Sequence, residues 1–443
     1  MTKFGTTQEL VKADLMRGST YVNATLQPRR IPSPVRWLFL LFVFMLPFDA
    51  VKTDFIIGSL PRLAGVLFFA VYVLYYGPFL GKRPFPPVTG AMCCFLAYIA
   101  VVGLNGIFID EKFVDEFVTR CFTLAQLVVL FWIASDLLKD EKTVRSVLFT
   151  LSIATSSIAI GNLVRLPGFY EPDVGAPGRV SAIGDNPNAL AATMAMALVA
   201  IVGLFITGSS RRSLRRVCLL LLTVPLLMVL VTTGSRGGVL GFAVGGLVYV
   251  VPLRASKRLL ISVGLGTLLI GGVVYKVATT PEFLERWRQT YYEGDLSRRE
   301  DIFATSYQMI LERPFLGWHP VECFYELGRR GEGISTPRDA HNLYLALLLE
   351  VGIIGTIPYL AGLCICARAA WKARLGNLGL LPMALLSVLF AGSLAGNATV
   401  WKQQWLLLAL AFGASVSTRV NERVPVLVRH HAGQKHAKVW TRA

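Results

Sequence analysis

Apolar runs recur along the whole chain, and they constrain its fold more than any motif does. WLFLLFVFMLP (37–47), 63–76, 121–134, 217–231 and 343–367 are the clearest of them. A helix that crosses a bilayer needs about 20 mostly apolar residues. Composition agrees: 54% of the residues are hydrophobic and 16% are charged, against roughly a quarter charged in an ordinary soluble domain. The expected fold class is therefore all-α polytopic membrane protein. Disordered, collagenous and disulfide-scaffold classes are excluded.

About twelve transmembrane helices fit, over 37–55, 60–78, 88–107, 117–136, 145–165, 188–207, 216–233, 237–253, 258–275, 341–366, 378–396 and 401–418. The net charge is +17. In a soluble protein this would suggest nucleic acid; here the first reading is basic cytoplasmic loops and the second an anionic substrate. With the N-terminus in the cytoplasm, every short internal loop is basic, as in RRSLRR (211–216), while the external IFIDEKFVDEF (107–117) is acidic. The expected division is a cytoplasmic tail (1–36), nine spans (37–275), an external loop (276–340), three spans (341–418) and a basic cytoplasmic tail (419–443). No cleavable signal peptide is expected, because residues 1–36 are polar and basic. The seven cysteines form no framework or zinc pattern and are all read as membrane packing residues.

The external loop stands out among short connections, and a connection this long is usually functional. Ser297-Arg298-Arg299-Glu300 has the capping-box pattern that opens a helix, which must stop before Pro314. Ile302, Phe303, Tyr307 and Ile310 are its expected apolar stripe. Residues 281–292 read as a second, amphipathic helix. Such helices can lie on the membrane face and roof a cavity.

Polar groups at membrane depth are costly, so each is a candidate site. Arg236 sits in TTGSRGG (232–238), a turn between two spans whose small neighbours allow close approach. Its planar fork suits phosphate oxygens. Arg299 lies in the first turn of the capped helix, where backbone N–H groups also attract anions. Arg179 precedes the Asn186-Pro187-Asn188 turn that starts the sixth span. His341 opens the long apolar run HNLYLALLLEVGIIG (341–355) at the external face. Arginines and a helix N-terminus both disfavour imidazolium there, which keeps the ring available as a base. Arg298, Arg338, Asn342 and His319 are the accompanying substrate-binding candidates. Of these, His319 stands in a Trp-His-Pro turn that also suits a structural role. Asp49 and Asp54, or the acidic group at 110–116, could hold a divalent ion. The surplus of external arginine makes a metal less necessary, because guanidinium can neutralise a leaving pyrophosphate, so none is expected, and no cofactor.

His341-Asn342, nine residues, Gly352, two residues, Gly355 resembles the H-[N/S/Q]-x9-G-x-x-G motif of the O-antigen ligases. The wider ligase and polymerase superfamily is echoed by GSRGG (234–238), by Arg299 with Ile302-Phe303 and ERPFLGW (312–318), and by Arg179 with Asn186-Pro187-Asn188. Two departures stand out: His319 occupies a position where Gly is common, and Arg298 beside Arg299 leaves the catalytic choice open by one position. The resemblance implies a GT-C-like glycosyltransferase of the bacterial inner membrane with a periplasmic site. Its donor would be O-antigen on undecaprenyl pyrophosphate, and its acceptor a sugar hydroxyl of lipid A-core. His341 would be the general base of an inverting transfer, with Arg236 and Arg299 holding pyrophosphate. Membrane lipids are the other partners; nucleic acid is not one. An O-antigen polymerase of the same superfamily, or a flippase or transporter of lipid-linked oligosaccharide, is the alternative.

Overall fold

The computed structural model describes residues 31–49, 51, 59–77, 86–172, 179–208, 213–250, 281–288, 291–292, 299–332 and 337–416, with single residues at 264, 271, 272, 275 and 279. The protein is an all-α polytopic membrane protein. Helices α1 (Ser33–Met45), α2 (Leu60–Tyr76), α3 (Gly90–Asn105), α4 (Val114–Leu137), α5 (Glu141–Leu163), α6 (Pro187–Thr207), α7 (Ser213–Thr232) and α8 (Arg236–Val248) follow the first eight apolar runs. A two-stranded antiparallel ribbon, Glu171–Pro172 with Val180–Ser181, joins α5 to α6. Helices α9 (Pro281–Arg288), α10 (Arg299–Glu312) and α11 (Glu322–Glu332) precede α12 (Leu343–Ala373) and α13 (Leu381–Gly392), and residues 402–416 form a further helix, α14. Among the described residues, five helices are long and apolar enough to cross a membrane, and shorter apolar helices accompany them. The span expected over 258–275 lies almost wholly outside the described residues, as do the C-terminal tail and all but the last few residues of the N-terminal one.

Local chemistry sets where the helices begin. Thr89 accepts the Met92 N–H at the head of α3, and Asp140 accepts that of Thr143 at the head of α5. Asn186 caps α6 with Pro187 in its first turn, Ser235 caps α8, and Asn342 caps α12 by accepting from both Tyr344 and Leu345. Each cap satisfies backbone donors that have no partner inside the helix.

Packing then brings alternate helix ends together. At one end of the bundle Arg36 bonds Ser146, and Arg145 bonds the Thr207 and Asn377 carbonyls, so the starts of α1 and α5 meet the end of α6. At the other end Lys402 reaches Asp49 at 2.5 Å, and the heads of α6, α8 and α12 gather there. Helix α12 runs along α3, and α8 packs against α6 and α13. A Cβ at Gly238 would collide with that of Ala191 on α6, which is the close backbone approach that small residues permit between membrane helices.

Helix α12 breaks at Gly352, where φ is +58°. The segment 314–319 fills the break. Trp318 and His319 donate backbone N–H to the carbonyls of Leu349 (2.6 Å) and Glu350 (3.2 Å), and Ile353 and Ile354 donate to Pro314 (2.9 Å) and Phe315 (3.1 Å). Backbone groups freed inside an apolar helix are thus satisfied by a neighbouring strand of chain, the condition for irregular backbone at such a place. Only Gly fits at 352, since a Cβ there would strike the backbone of Phe315.

Residues 302–349 share a compact core of Ile302, Met309, Trp318, Cys323, Leu327, Ala340, Ala346 and Leu349. Two expectations are corrected here. Tyr307 is exposed, and the buried stripe of α10 is Ile302, Ser306 and Met309, with Phe303 and Ile310 at its margin. Cys323 packs inside this core beside Trp318 and not against lipid, because α11 folds back over α10. Helix α10 ends at Glu312, before Pro314, as expected.

Candidate active site

A cavity of about 400 Å³ lies where the heads of α6, α8 and α12 meet. Asn186, Asn188, Ser235, Gly237, Asp339 and His341 line it, with Asp49 and Asp185 on its wall. Three capped helix N-termini therefore open near one space. The partial positive charges of these helix heads favour an anion, and the carboxylates of Asp49, Asp185 and Asp339 oppose one; Arg179, Arg236 and Arg299 are not among the lining residues.

The distant motifs are bonded to one another. Arg179 Nε donates to the Thr233 carbonyl at 2.9 Å, and its Nη2 donates to Asn188 Oδ1 at 3.3 Å. Ser235 Oγ donates to the same Asn188 oxygen at 2.9 Å while accepting from the Gly238 N–H. Arg179 thus clamps the Asn-Pro-Asn turn to the GSRGG turn. Arg236 is the first residue of α8, half-buried between Ser235 and Gly237. Arg299 is the first residue of α10 and is half-buried. Arg298 lies outside the described residues.

His341 does not begin the helix, contrary to the sequence expectation. Its φ is +49°, Asn342 is the cap, and α12 starts at Leu343. The Leu343 N–H donates to the Ser393 carbonyl at 2.9 Å, fixing this corner against the end of α13. Asn342 spends its side-chain oxygen on the cap. Burial pushes the His341 pKa below its ordinary value; Asp339 opposes this, and the charges of Arg299 and Arg338 add to it. His319 is elsewhere. It is buried against Phe117, accepts the Val321 N–H on Nδ1, and lines a separate cavity with Asn105 and Phe315. Burial pushes its pKa down to about 4, so it stays neutral.

Three groups were missed. Asp185 lines the cavity, and burial raises its pKa to about 6. Glu350 is fully buried in α12 and pairs with Arg120 of α4 at 3.1 Å; Asn397 also donates to it, at 3.0 Å. A charged residue inside an apolar run was the available signal for the last two. Asp49, one of the carboxylates considered for a metal, has both oxygens on Lys402 and a further bond from Ser59. Asp54 lies outside the described residues.

Fold and cavity together define a multi-pass helical membrane protein with a polar cavity at one end of its bundle. Residues 221–360 match the family model described as O-Antigen ligase. An O-antigen ligase of Pseudomonas aeruginosa is 28% identical over 203 residues, which are 43% of this chain and 46% of that relative. These two findings show the resemblance to the O-antigen ligase superfamily. The chain spans less than half the length of that curated relative. A solved chain from a work titled "Structural coordination of polymerization and crosslinking by a peptidoglycan synthase complex" aligns over 75% of this chain and 97% of its own, at 15% identity and a TM-score of 0.40.

Proposed function

We propose that this protein is an O-antigen ligase: a GT-C-like glycosyltransferase of the bacterial inner membrane. It moves O-antigen polysaccharide from undecaprenyl pyrophosphate to a sugar hydroxyl of lipid A-core, on the periplasmic side. The observation that carries the reading is the convergence of a proton acceptor, His341, with three capped helix N-termini on one cavity. Arg236 and Arg299, at the heads of α8 and α10, receive the pyrophosphate and stabilise the charge that develops as it leaves. Arg179 holds the turn that carries Arg236. His341 takes the proton of the acceptor hydroxyl, the oxygen attacks the anomeric carbon from the opposite face, and the configuration inverts. The engagement of Asp49 by Lys402 supports transfer without a metal.

Deleting the gene and resolving lipopolysaccharide on a gel tests the reaction class. Bare core with donor retained in the membrane is the expected result. Single-repeat ladders would indicate a polymerase, and absence of periplasmic donor a flippase. Purified protein should transfer glycan in excess EDTA. Activity lost in chelator and restored by Mg²⁺ or Mn²⁺ would overturn the metal-free chemistry.

A further inference from the structure

Asp339 stands two residues before His341 and lines the same cavity. Its Oδ2 lies 3.8 Å from His341 Nδ1, and its Oδ1 is buried with no hydrogen-bond partner. The backbone around the two is fixed. The Arg338 N–H bonds the Phe324 carbonyl, Ala340 is fully buried, His341 is held at positive φ, and Asn342 and Leu343 are tied to α12 and Ser393. The imidazole can therefore adjust chiefly by its own side-chain torsions.

A neutral imidazole carries one N–H and one lone pair, and the partner of the first nitrogen decides which role the second plays. We propose that Asp339 is a positioning residue: its carboxylate takes the Nδ1–H of His341 and so presents Nε2 to the acceptor hydroxyl. This rests on the transfer reaction proposed above and deepens it. At 3.8 Å the pair is longer than a hydrogen bond, and such contacts commonly close when substrate fills the site. In the step itself, the acceptor O–H bond breaks and its proton passes to Nε2. The oxygen's electron pair forms the bond to the anomeric carbon, and the bond from that carbon to the pyrophosphate oxygen breaks, its electron pair leaving with pyrophosphate. The imidazolium then returns its proton to water. Of the charged groups acting on His341, Arg299 and Arg338 oppose the imidazolium and Asp339 favours it.

The test is Asp339→Asn in the full chain, with two readouts. The first is transfer kinetics across pH. The second is carbethoxylation of His341 by diethylpyrocarbonate, read by mass spectrometry on the peptide that contains it, which needs no transfer. The expected result is a modification midpoint shifted to lower pH, because the charge that favoured imidazolium is gone. With it, kcat should fall on the order of ten- to a hundredfold, part of the usual general-base contribution, with KM for both substrates little changed. Asp339→Glu should recover part of kcat and of the midpoint. An unchanged midpoint, or a loss of kcat that Glu does not recover, would overturn the pair, since a merely structural role predicts either. Full activity of His341→Ala would instead remove the general-base reading, and with it the purpose of the pair, while the midpoint would still report the contact.

Discussion

His341 carries the clearest single-residue expectation. A sugar hydroxyl is too weak an acid to ionise near neutral pH, so its attack needs a proton acceptor, an aid typically worth about 10²- to 10⁴-fold. His341→Gln should express, fold and bind donor, with transfer reduced by roughly that factor. A well-expressed and fully active Gln variant would move the base role to another group, such as Asp185. The pH dependence has a definite sign. The base works as neutral imidazole, and burial with Arg299 and Arg338 lowers its pKa. Activity should therefore rise with pH along an acidic limb centred below the ordinary histidine value of about 6.5. Arg236→Lys should be severely impaired in transfer although the charge is kept, because an ammonium lacks the planar fork. Wild-type rates in that variant would mean that a point charge suffices.

The elements around the site depend on the break in α12. The Gly-x-x-Gly end of the histidine motif (352–355) and the Pro-Phe-Leu-Gly-Trp stretch (314–318), far apart in the sequence, form one structural unit: the first opens the helix and the second supplies its missing partners. Gly352→Ala adds a Cβ at positive φ, against the backbone of Phe315. Strain of this kind costs about 1–3 kcal/mol before any overlap is counted, and should appear as a lower midpoint of thermal unfolding in detergent. The Arg120–Glu350 pair sits beside the same break, where Asn105 also donates to the Glu350 carbonyl. Removing one partner leaves a buried charge uncompensated, a loss of about 3–5 kcal/mol. Replacing both by apolar residues of similar size should recover much of it. A double variant as unstable as the singles would show that the pair does more than neutralise itself.

At the scale of the molecule, the alternation of helix ends matches the distribution of basic residues. Arg36, Arg145 and Lys139 belong to the end opposite the cavity, while Asp49, Asp185 and Asp339 line the cavity. Reporter fusions after residues 110, 180 and 300 should read periplasmic, and fusions after 82, 212 and 372 cytoplasmic. A cytoplasmic signal at 300 would place His341 and its arginines on the wrong side of the membrane for the proposed substrates.

Most of this architecture was legible in the sequence because it is local. Apolar runs specify helices, and Asn186-Pro187 specifies where α6 starts, since a cap acts within two or three residues of itself; the caps Ser235 and Asn342 emerged only from the structure, the sequence having opened α12 at His341. The candidates His341, Arg179, Arg236 and Arg299 stood out for the same reason, since polar groups beside apolar runs are conspicuous; of them His341 lines the cavity. Their partnerships were not legible. That Arg179 donates to Asn188 and Thr233 could not be read from its place in the chain. His319 and His341 look alike as side chains, and only packing buries one against Phe117 and sets the other in the cavity. Glu350 finds Arg120 across 230 positions of chain. Such contacts depend on how whole helices pack, and no local pattern encodes a distance of that kind.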